Sequence, residues 1–312
     1  MSEDHSSPAS DPNLNNLDRP LDRPGAYEIN RPQQQMVPIV FASPHSGAFY
    51  PPEFIAAAKL DPLHLRRSED AFMHQIFAAA PAYGAPLIAA NYPRAFVDPN
   101  REPYELDPDM FHDPLPDYVN ATSPRVAGGL GTVARVIANG EEIYGDKLPF
   151  AEAERRIETY YKPYHAALNA LLDETQDRFG AYLLIDCHSM PSVGGPMDND
   201  PGLQRVDFVL GDGYGTSCAP AVTHHVEATL KELGFVVTRN NPYAGGFTTR
   251  HYGNPAQNRH TLQIEINRAL YLDERAITPQ AGFKALTAKV SQLVSALAGI
   301  DIDTLRTALA AE

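Results

Sequence analysis

The sequence predicts an α/β protein, and two observations support that prediction. Segments with helical spacing of apolar residues alternate with short apolar runs along most of the 312 residues. Several of these runs are apolar throughout, which is typical of strands that are buried on both faces of a sheet. In open sheets of this class ligands bind beyond the carboxyl ends of the strands, so the polar side chains that follow the strands are expected to converge.

The predicted strands are short and mostly aliphatic, and turn residues separate them from the helices. They are VPIVFAS (37–43), one or two strands within PLIAANYPRAFVDPN (86–100), AYLLID (181–186), VDFVLGD (206–212), FVVTRN (235–240) and HTLQIEINRA (260–269).

Four segments have the spacing of helices. Residues 61–84 are predicted as one helix, because a proline lies near the start and a glycine at the end. A second helix spans 150–180, with Gly180 at the position that follows a helix. The remaining two are predicted over 220–234 and 279–300.

The chain divides into a tail and one large domain. Residues 1–36 are rich in proline, aspartate and asparagine and poor in aliphatic residues, which predicts a flexible N-terminal tail. Residues 37–312 show no internal repeat and no long linker, so they are expected to form a single catalytic domain.

Composition restricts the classes of partner and location. The net charge is −14 and no run of lysine or arginine occurs, so a nucleic-acid partner is not expected. No apolar stretch is long enough for a membrane span and the N-terminus lacks a secretory pattern, so we expect a cytoplasmic protein. Its two cysteines, Cys187 and Cys218, fit a reducing compartment. A small anionic substrate is still compatible, if arginines gather in one pocket.

Polar residues at three predicted strand ends indicate a metal site. His45 follows the first strand, Asp186 and His188 follow AYLLI, and Glu265 lies near the end of HTLQI. A catalytic zinc ion takes three ligands of histidine and carboxylate type and keeps one position for water. A nearby carboxylate that does not bind the metal can take the proton of that water.

Each of these residues has a plainer interpretation. A histidine at a strand end can be a hydrogen-bonded loop residue, and Glu265 can form an ion pair with Arg268, since a buried carboxylate is costly unless it is paired. A nucleophilic Cys187 is disfavoured, because neighbours on a strand face opposite ways and His188 would not reach it. Ser189 lacks the glycine-flanked turn of hydrolase nucleophiles.

Arginines form a second group of candidates. The substrate-binding candidates lie in YPRAFVDPNRE and NPYAGGFTTRHYG, and they are Arg94, Asn100, Arg101, Arg250, His251 and Tyr252. Arginine grips a carboxylate with two parallel hydrogen bonds. The alternative is that Arg94 and Arg101 pair with Asp98 or Glu102 and that AGG is only a turn. In an acidic chain, the whole set favours recognition of a substrate carboxylate.

An ordered series of motifs matches a known family. SPHSG, SED, PRAFVDPNR, PYH, DCHS, GGFTTRHYG and LQIEINR occur in this order. On these motifs the sequence resembles the N-formylglutamate amidohydrolase family from about residue 37 to 275. No single motif is decisive, but the ordered set is specific, and GGFTTRHYG is its most distinctive member.

The resemblance implies a fold and a reaction. The family looks related to the zinc carboxypeptidases and to aspartoacylase, which implies a three-layer α/β/α sandwich around a mixed, mostly parallel sheet. The implied reaction is hydrolysis of the N-formyl amide of N-formyl-L-glutamate to formate and L-glutamate, late in histidine degradation.

The resemblance also assigns roles to residues. It makes His45 and His188 ligands of one zinc ion per chain, with manganese or cobalt as alternatives, and it makes Glu265 the general base. Arg101, preceded by Asn100, would polarise the scissile carbonyl or hold the substrate.

The third metal ligand departs from the pattern of the zinc carboxypeptidases. Those enzymes carry a glutamate three residues after the first histidine, where this chain has Ala48. Asp70 in RRSEDAF is therefore expected to supply the carboxylate, with Glu69 as its competitor.

Two other functions stay open at this point. One is a related zinc amidohydrolase or carboxypeptidase that acts on another N-acyl acidic amino acid or peptide. The other is a non-catalytic protein that binds an acidic ligand, which the presence of His45, His188 and Glu265 disfavours. Stoichiometric metal would separate an enzyme from such a binding protein.

Overall fold

A computed structural model describes residues 23–137, 139–196 and 198–306 of the chain. Its centre is a seven-stranded sheet. The strands are β1 (Tyr27–Asn30), β2 (Ile39–Ser43), β3 (Leu87–Ala90), β4 (Tyr182–Met190), β5 (Phe208–Gly211), β6 (Val237–Arg239) and β7 (Arg259–Asn267). Their order across the sheet is β1-β3-β2-β4-β7-β5-β6. A separate antiparallel pair comprises β8 (Leu272–Asp273) and β9 (Thr278–Pro279).

The sheet is mixed and mostly parallel, as expected. The pairs β2–β3, β2–β4, β4–β7 and β5–β6 are parallel, whereas β1–β3 and β5–β7 are antiparallel. The long central pair β4–β7 places His188 directly beside Glu265. Side chains at paired positions of neighbouring strands lie on the same face, so these two groups share one site.

The helices range from single turns to more than four turns. They are α1 (Pro52–Ala57), α2 (Pro62–Arg66), α3 (Met73–Ile76), α4 (Pro124–Ala127), α5 (Phe150–Arg156), α6 (Lys162–Phe179), α7 (Pro220–Glu232), α8 (Phe247–Tyr252) and α9 (Gly282–Ala298). A π-helical turn, Ile157–Tyr161, joins α5 to α6. No helix among the described residues has the length and apolar character needed to cross a membrane.

Helices cover both faces of the sheet, which confirms the α/β class. Phe41 and Ile185 point to the side covered by α3, α7 and α9. Val40 and Leu184 point to the other side, which α6 and α8 cover. Because consecutive strand residues alternate between these two apolar layers, the central strands read as continuous apolar runs in the sequence.

The predicted helix over 61–84 is wrong in its middle. After α2 the chain leaves the helix, and α3 begins only at Met73. Between them the Asp70 amide donates to the His45 carbonyl at 3.0 Å, and Phe72 adopts a left-handed φ of 65°. Contact with the end of β2 thus replaces helical hydrogen bonds here, which periodicity alone does not reveal.

Part of the predicted tail belongs to the sheet. Strand β1 pairs antiparallel with β3 and forms one edge of the sheet. Its residues alternate between half-buried and exposed positions, because an edge strand needs only one apolar face, and prolines flank it closely in the sequence. The expectation for residues 1–22 lies outside the described residues.

Candidate active site

Two histidines and one aspartate converge at the carboxyl ends of β2 and β4. Asp70 Oδ2 lies 3.3 Å from His45 Nδ1 and 3.0 Å from His188 Nδ1. All three side chains are buried, and their ligand atoms lie within 4.8 Å of one another. The group therefore has the donor types and the spacing that could hold a metal ion.

Each histidine also has a carboxylate next to Nε2, the ring nitrogen that does not face Asp70. His45 Nε2 lies 2.7 Å from Asp98 Oδ1, and His188 Nε2 lies 3.0 Å from Asp186 Oδ2. Burial lowers the pKa of His188, but the charge of Asp186 and the hydrogen bond with Asp70 raise it well above its usual value. Carboxylates meet this imidazole at both nitrogens, so the site demands positive charge. A divalent cation would meet that demand, and Asp98 and Asp186 are placed where they would orient the two histidine rings toward it.

Asp70 is held by its other oxygen. Ser189 Oγ and Arg268 Nη2 each donate to Asp70 Oδ1 at 3.1 Å, and Arg268 Nε also donates to Ser189 Oγ. Burial raises the pKa of Asp70, but hydrogen bonds with His188 and His45 keep it well below its usual range. Oδ2 of an ionised carboxylate is thereby left to face the histidines.

Glu69 points away from the histidines. Its carboxylate accepts from Tyr50 Oη at 2.7 Å and from Arg66 Nε at 3.1 Å. Of the two acids in SED, Asp70 is therefore the one that joins the histidine pair.

Glu265 lies beside the histidine pair but outside the ligand cluster. Its Oε1 accepts from Gln263 Nε2 at 2.9 Å. Burial raises the pKa of Glu265 to about 7, against the opposing charge of His188. Arg268 hydrogen-bonds to Asp70 and Ser189 and not to Glu265 among the described residues, so the ion-pair alternative is not what holds this carboxylate. A carboxyl with a pKa near 7 can both accept and return a proton at neutral pH.

A cleft of about 560 Å³ opens over this cluster. Five arginines line it, and they are Arg67, Arg94, Arg101, Arg125 and Arg268. Five carboxylates line it as well, so the cleft is close to neutral in formal charge, whereas the whole chain carries −14. Those arginines that no carboxylate pairs can receive an anionic ligand.

Two of the predicted arginines line the cleft. Arg94 donates to Asp98 at 2.7 Å, so the predicted structural pairing holds for it, although it also faces the cleft. Arg101 donates to the carbonyls of Leu130 and Asn100, and its Nε lies 3.8 Å from Asp98 Oδ2, so a looser ion pair with Asp98 is present as well. Burial lowers the pKa of Arg101 to about 10; the charge of Asp98 opposes this shift, and the charges of Arg94 and Arg125 add to it.

Sequence reasoning missed Arg67 and Arg125. Both line the cleft, and neither side chain has a hydrogen bond or ion pair with any residue that the structure describes. A signal for Arg125 was present, because residues 118–140 contain no acidic residue that could neutralise it.

The glycine-rich segment before α8 and the start of that helix reach the site through their backbone. The Thr248 amide donates to Asn100 Oδ1 at 2.8 Å, which directs the Asn100 amide nitrogen toward His188 Nε2, 3.3 Å away. A Cβ on Gly246 would lie 2.4 Å from the Asn100 amide group. Only glycine therefore allows this approach.

The side chains of Arg250, His251 and Tyr252 are not brought into the cleft. Arg250 is exposed, and among the residues that the structure describes its side chain hydrogen-bonds only to the Gly245 carbonyl, at 3.5 Å. His251 is exposed and stacks on Phe247, and Tyr252 is buried behind the site. Residues 242–246, which precede α8, line the cleft, whereas none of the helix residues Phe247–Tyr252 does.

Cys187 and Ser189 do not act as nucleophiles in this geometry. Cys187 is buried in the apolar layer on the side of the sheet that α3, α7 and α9 cover, and burial raises its pKa well above the usual value. A thiol of this kind is inert, because the thiolate is the reactive form. Ser189 Oγ is engaged with Asp70 and Arg268.

The family profile and the similar proteins that match this chain all indicate the same family. A profile of N-formylglutamate amidohydrolase matches residues 37–272. The N-formylglutamate deformylase of Pseudomonas putida is 30% identical over 247 residues, covering 77% of this chain and 84% of that protein. The deformylase of Pseudomonas aeruginosa is 31% identical over 244 residues, with the same coverage of both.

Solved structures extend the likeness to the fold. The crystal structure of N-formylglutamate amidohydrolase from Ralstonia eutropha JMP134 superposes with a TM-score of 0.81 at 36% identity, covering 88% of this chain and 97% of that one. A gene product of Agrobacterium tumefaciens superposes with a TM-score of 0.65 at 17% identity, covering 88% and 95%, and shares the fold.

Proposed function

The chain belongs to the N-formylglutamate amidohydrolase family, and on that premise we propose that it hydrolyses N-formyl-L-glutamate to formate and L-glutamate. The observation that carries the proposal is the buried His45–Asp70–His188 group beside Glu265, at the base of an arginine-lined cleft. The histidine–carboxylate group supports hydrolysis, and the arginines support an anionic substrate.

His45, Asp70 and His188 would hold one zinc ion per chain. Histidine nitrogen and carboxylate oxygen are donors that zinc accepts readily, and manganese or cobalt would fit the same set. When bound, the ion would supply Lewis-acid activation of the formyl carbonyl and of water.

Glu265 is the proposed general base. It takes a proton from water as the water oxygen attacks the formyl carbon. It then delivers that proton to the amide nitrogen as the C–N bond breaks, so that formate and the free amine of glutamate leave. The raised pKa of Glu265 suits a group that must do both at neutral pH.

Arg94, Asn100 and Arg101 are the proposed substrate-binding residues at one wall of the cleft. Arg101 would hold a carboxylate or the scissile carbonyl. Arg250 is exposed outside the cleft, so we assign the contact with a substrate carboxylate to Arg125 instead. Arg125 lines the cleft, and its side chain has no partner among the described residues.

Release of the free amino acid from a panel of N-acyl amino acids tests this function. The panel contains N-formylglutamate, N-formylglutamine, N-formylaspartate and N-acetylglutamate, assayed with zinc-loaded enzyme. We expect kcat/KM to be highest for N-formylglutamate and to fall at least tenfold for N-formylglutamine, which lacks one carboxylate. A preference for another acyl group, or no hydrolysis of any member, would contradict the proposal.

A further inference from the structure

The segment Asp98–Arg101 is held at several points by parts of the fold that do not line the cleft. It carries the carboxylate behind His45, the amide beside His188 and the guanidinium of Arg101. Its own conformation is irregular, so neighbouring elements must fix it.

Two consecutive hydrogen bonds, from Tyr252 to His165 and from His165 to the Pro99 carbonyl, hold this segment on the side away from the cleft. Tyr252 Oη lies 2.7 Å from His165 Nδ1, and His165 Nε2 lies 2.9 Å from the Pro99 carbonyl. A carbonyl can only accept, so His165 Nε2 carries the proton and Nδ1 accepts from the Tyr252 hydroxyl. Burial lowers the pKa of His165 to about 4, which keeps the ring neutral in this arrangement.

A second contact comes from the same helical face. Tyr161 Oη donates to the Arg101 carbonyl at 2.7 Å, four residues before His165. The π-helical turn Ile157–Tyr161 precedes α6 at this point. Single π turns of this kind occur frequently at functional sites, where they re-aim side chains.

We infer that Tyr252 and His165 form a positioning relay that holds Pro99 and thereby aims Asn100 and Arg101 into the cleft. This role gives the Tyr252 side chain of the GGFTTRHYG motif a function, although that side chain does not face the cleft. The inference rests on the proposed function, because it assigns the relay to substrate binding by Arg101.

The relay acts through position and not through contact with substrate. Without the Tyr252 hydroxyl, His165 Nδ1 loses its donor, and the ring is free to move its proton to Nδ1 and release the Pro99 carbonyl. A small displacement of a binding group lowers catalysis well beyond its effect on stability.

Tyr252→Phe tests the relay, and Tyr182→Phe is the matched control. Tyr182 Oη donates to the Tyr252 carbonyl, also at 2.7 Å and also in the buried layer against α8, but it does not touch His165. We expect Tyr252→Phe to lower kcat/KM about fivefold to tenfold with full zinc content, and Tyr182→Phe to lower it less than about twofold. Equal losses would assign both hydroxyls to general support of α8 and overturn the relay.

A double-mutant cycle with Arg101→Ala isolates the proposed path. If the relay works by aiming Arg101, the Tyr252→Phe penalty shrinks to under about twofold when Arg101 is absent. A penalty of the same size in both backgrounds would overturn the inference. Should the wild-type enzyme prove inactive on N-formylglutamate, the proposed function fails. The ring tautomer of His165, read from its ¹⁵N chemical shifts, then decides the relay without any ligand. Loss of the pure Nε2–H form in Tyr252→Phe and not in Tyr182→Phe supports it, and an unchanged Nε2–H form in both variants would overturn it.

Discussion

Glu265 is the residue on which the proposed chemistry depends most. Glu265→Gln preserves the shape of the side chain but cannot take a proton. We expect the variant to keep its zinc and its KM while kcat falls about 10²–10⁴-fold, the usual loss for a positioned acid–base group. Unchanged kcat per zinc-loaded chain, together with a lower melting temperature, would instead make Glu265 a structural carboxylate.

The raised pKa of Glu265 also predicts how stability depends on pH in the metal-free protein. The folded pKa of about 7 lies above the ordinary value of 4.5, so the folded state binds more protons between these values. Stability is therefore lost as the pH rises from about 5 to 7. Glu265→Gln removes this cost, so the metal-free variant should melt above the metal-free wild type at pH 8 and not at pH 4.5. A difference that is independent of pH would contradict the assignment.

Alanine substitutions at Arg125 and at Arg250 are expected to affect KM differently, although both side chains are exposed. Arg125 lines the cleft, whereas Arg250 does not. Arg125→Ala should raise KM for N-formylglutamate about tenfold or more, because a charge-assisted contact to a carboxylate is lost. Arg250→Ala should leave KM within about twofold. The reverse ranking in steady-state kinetics would return the carboxylate contact to Arg250.

Single residues were predictable where the local pattern pointed to them. His45, His188 and Glu265 stand out because each interrupts or follows an apolar run, and the sheet brings those strand ends together. The lack of neighbouring acids was too weak a signal for Arg125, since this residue lies on the single-turn helix α4 in a long stretch with little regular structure, whose path depends on tertiary contacts. The structure does not bring the Arg250 side chain into the cleft, because its sequence neighbours approach Asn100 through backbone atoms.

At the scale of elements, the segment before α8 depends on one glycine. A Cβ at Gly246 would lie 2.4 Å from the Asn100 side chain, whereas one at Gly145 would have no neighbour within 4 Å. Gly246→Ala should cost about 1–3 kcal/mol of stability, the usual range for overpacking, and lower kcat/KM because Asn100 must move. Gly145→Ala should change neither. Equal melting temperatures for the two variants would show that the segment yields without strain.

Helices and strands were predicted best where the apolar residues repeat regularly over a long segment. The helix that ends at Phe179 is followed by Gly180 with a φ of 73°, as its glycine predicts. The segment 61–84 failed because buried polar contacts of Asp70 outweigh helix formation there. Strand β1 was missed because four residues at the sheet edge carry too little pattern.

At the scale of the whole molecule, the fold explains why distant residues form one site. Strands β2, β4 and β7 are adjacent and parallel, so their carboxyl ends place His45, His188 and Glu265 at one edge of the sheet. Alternation of strands and helices predicts this convergence. It does not predict Asp98 and Asp186 behind the two imidazoles, since those contacts depend on the course of a loop and on side-chain rotation.

Zinc titration of the metal-free enzyme tests the central claim most directly. Formate release from N-formylglutamate is measured as zinc is added back to protein stripped by a chelator, with His188→Ala in parallel. We predict that activity rises linearly to a break at one zinc ion per chain, and that His188→Ala neither retains zinc nor gains activity. Full activity of the stripped protein, or no formate release at one zinc ion per chain, would contradict a metal-dependent N-formylglutamate hydrolase.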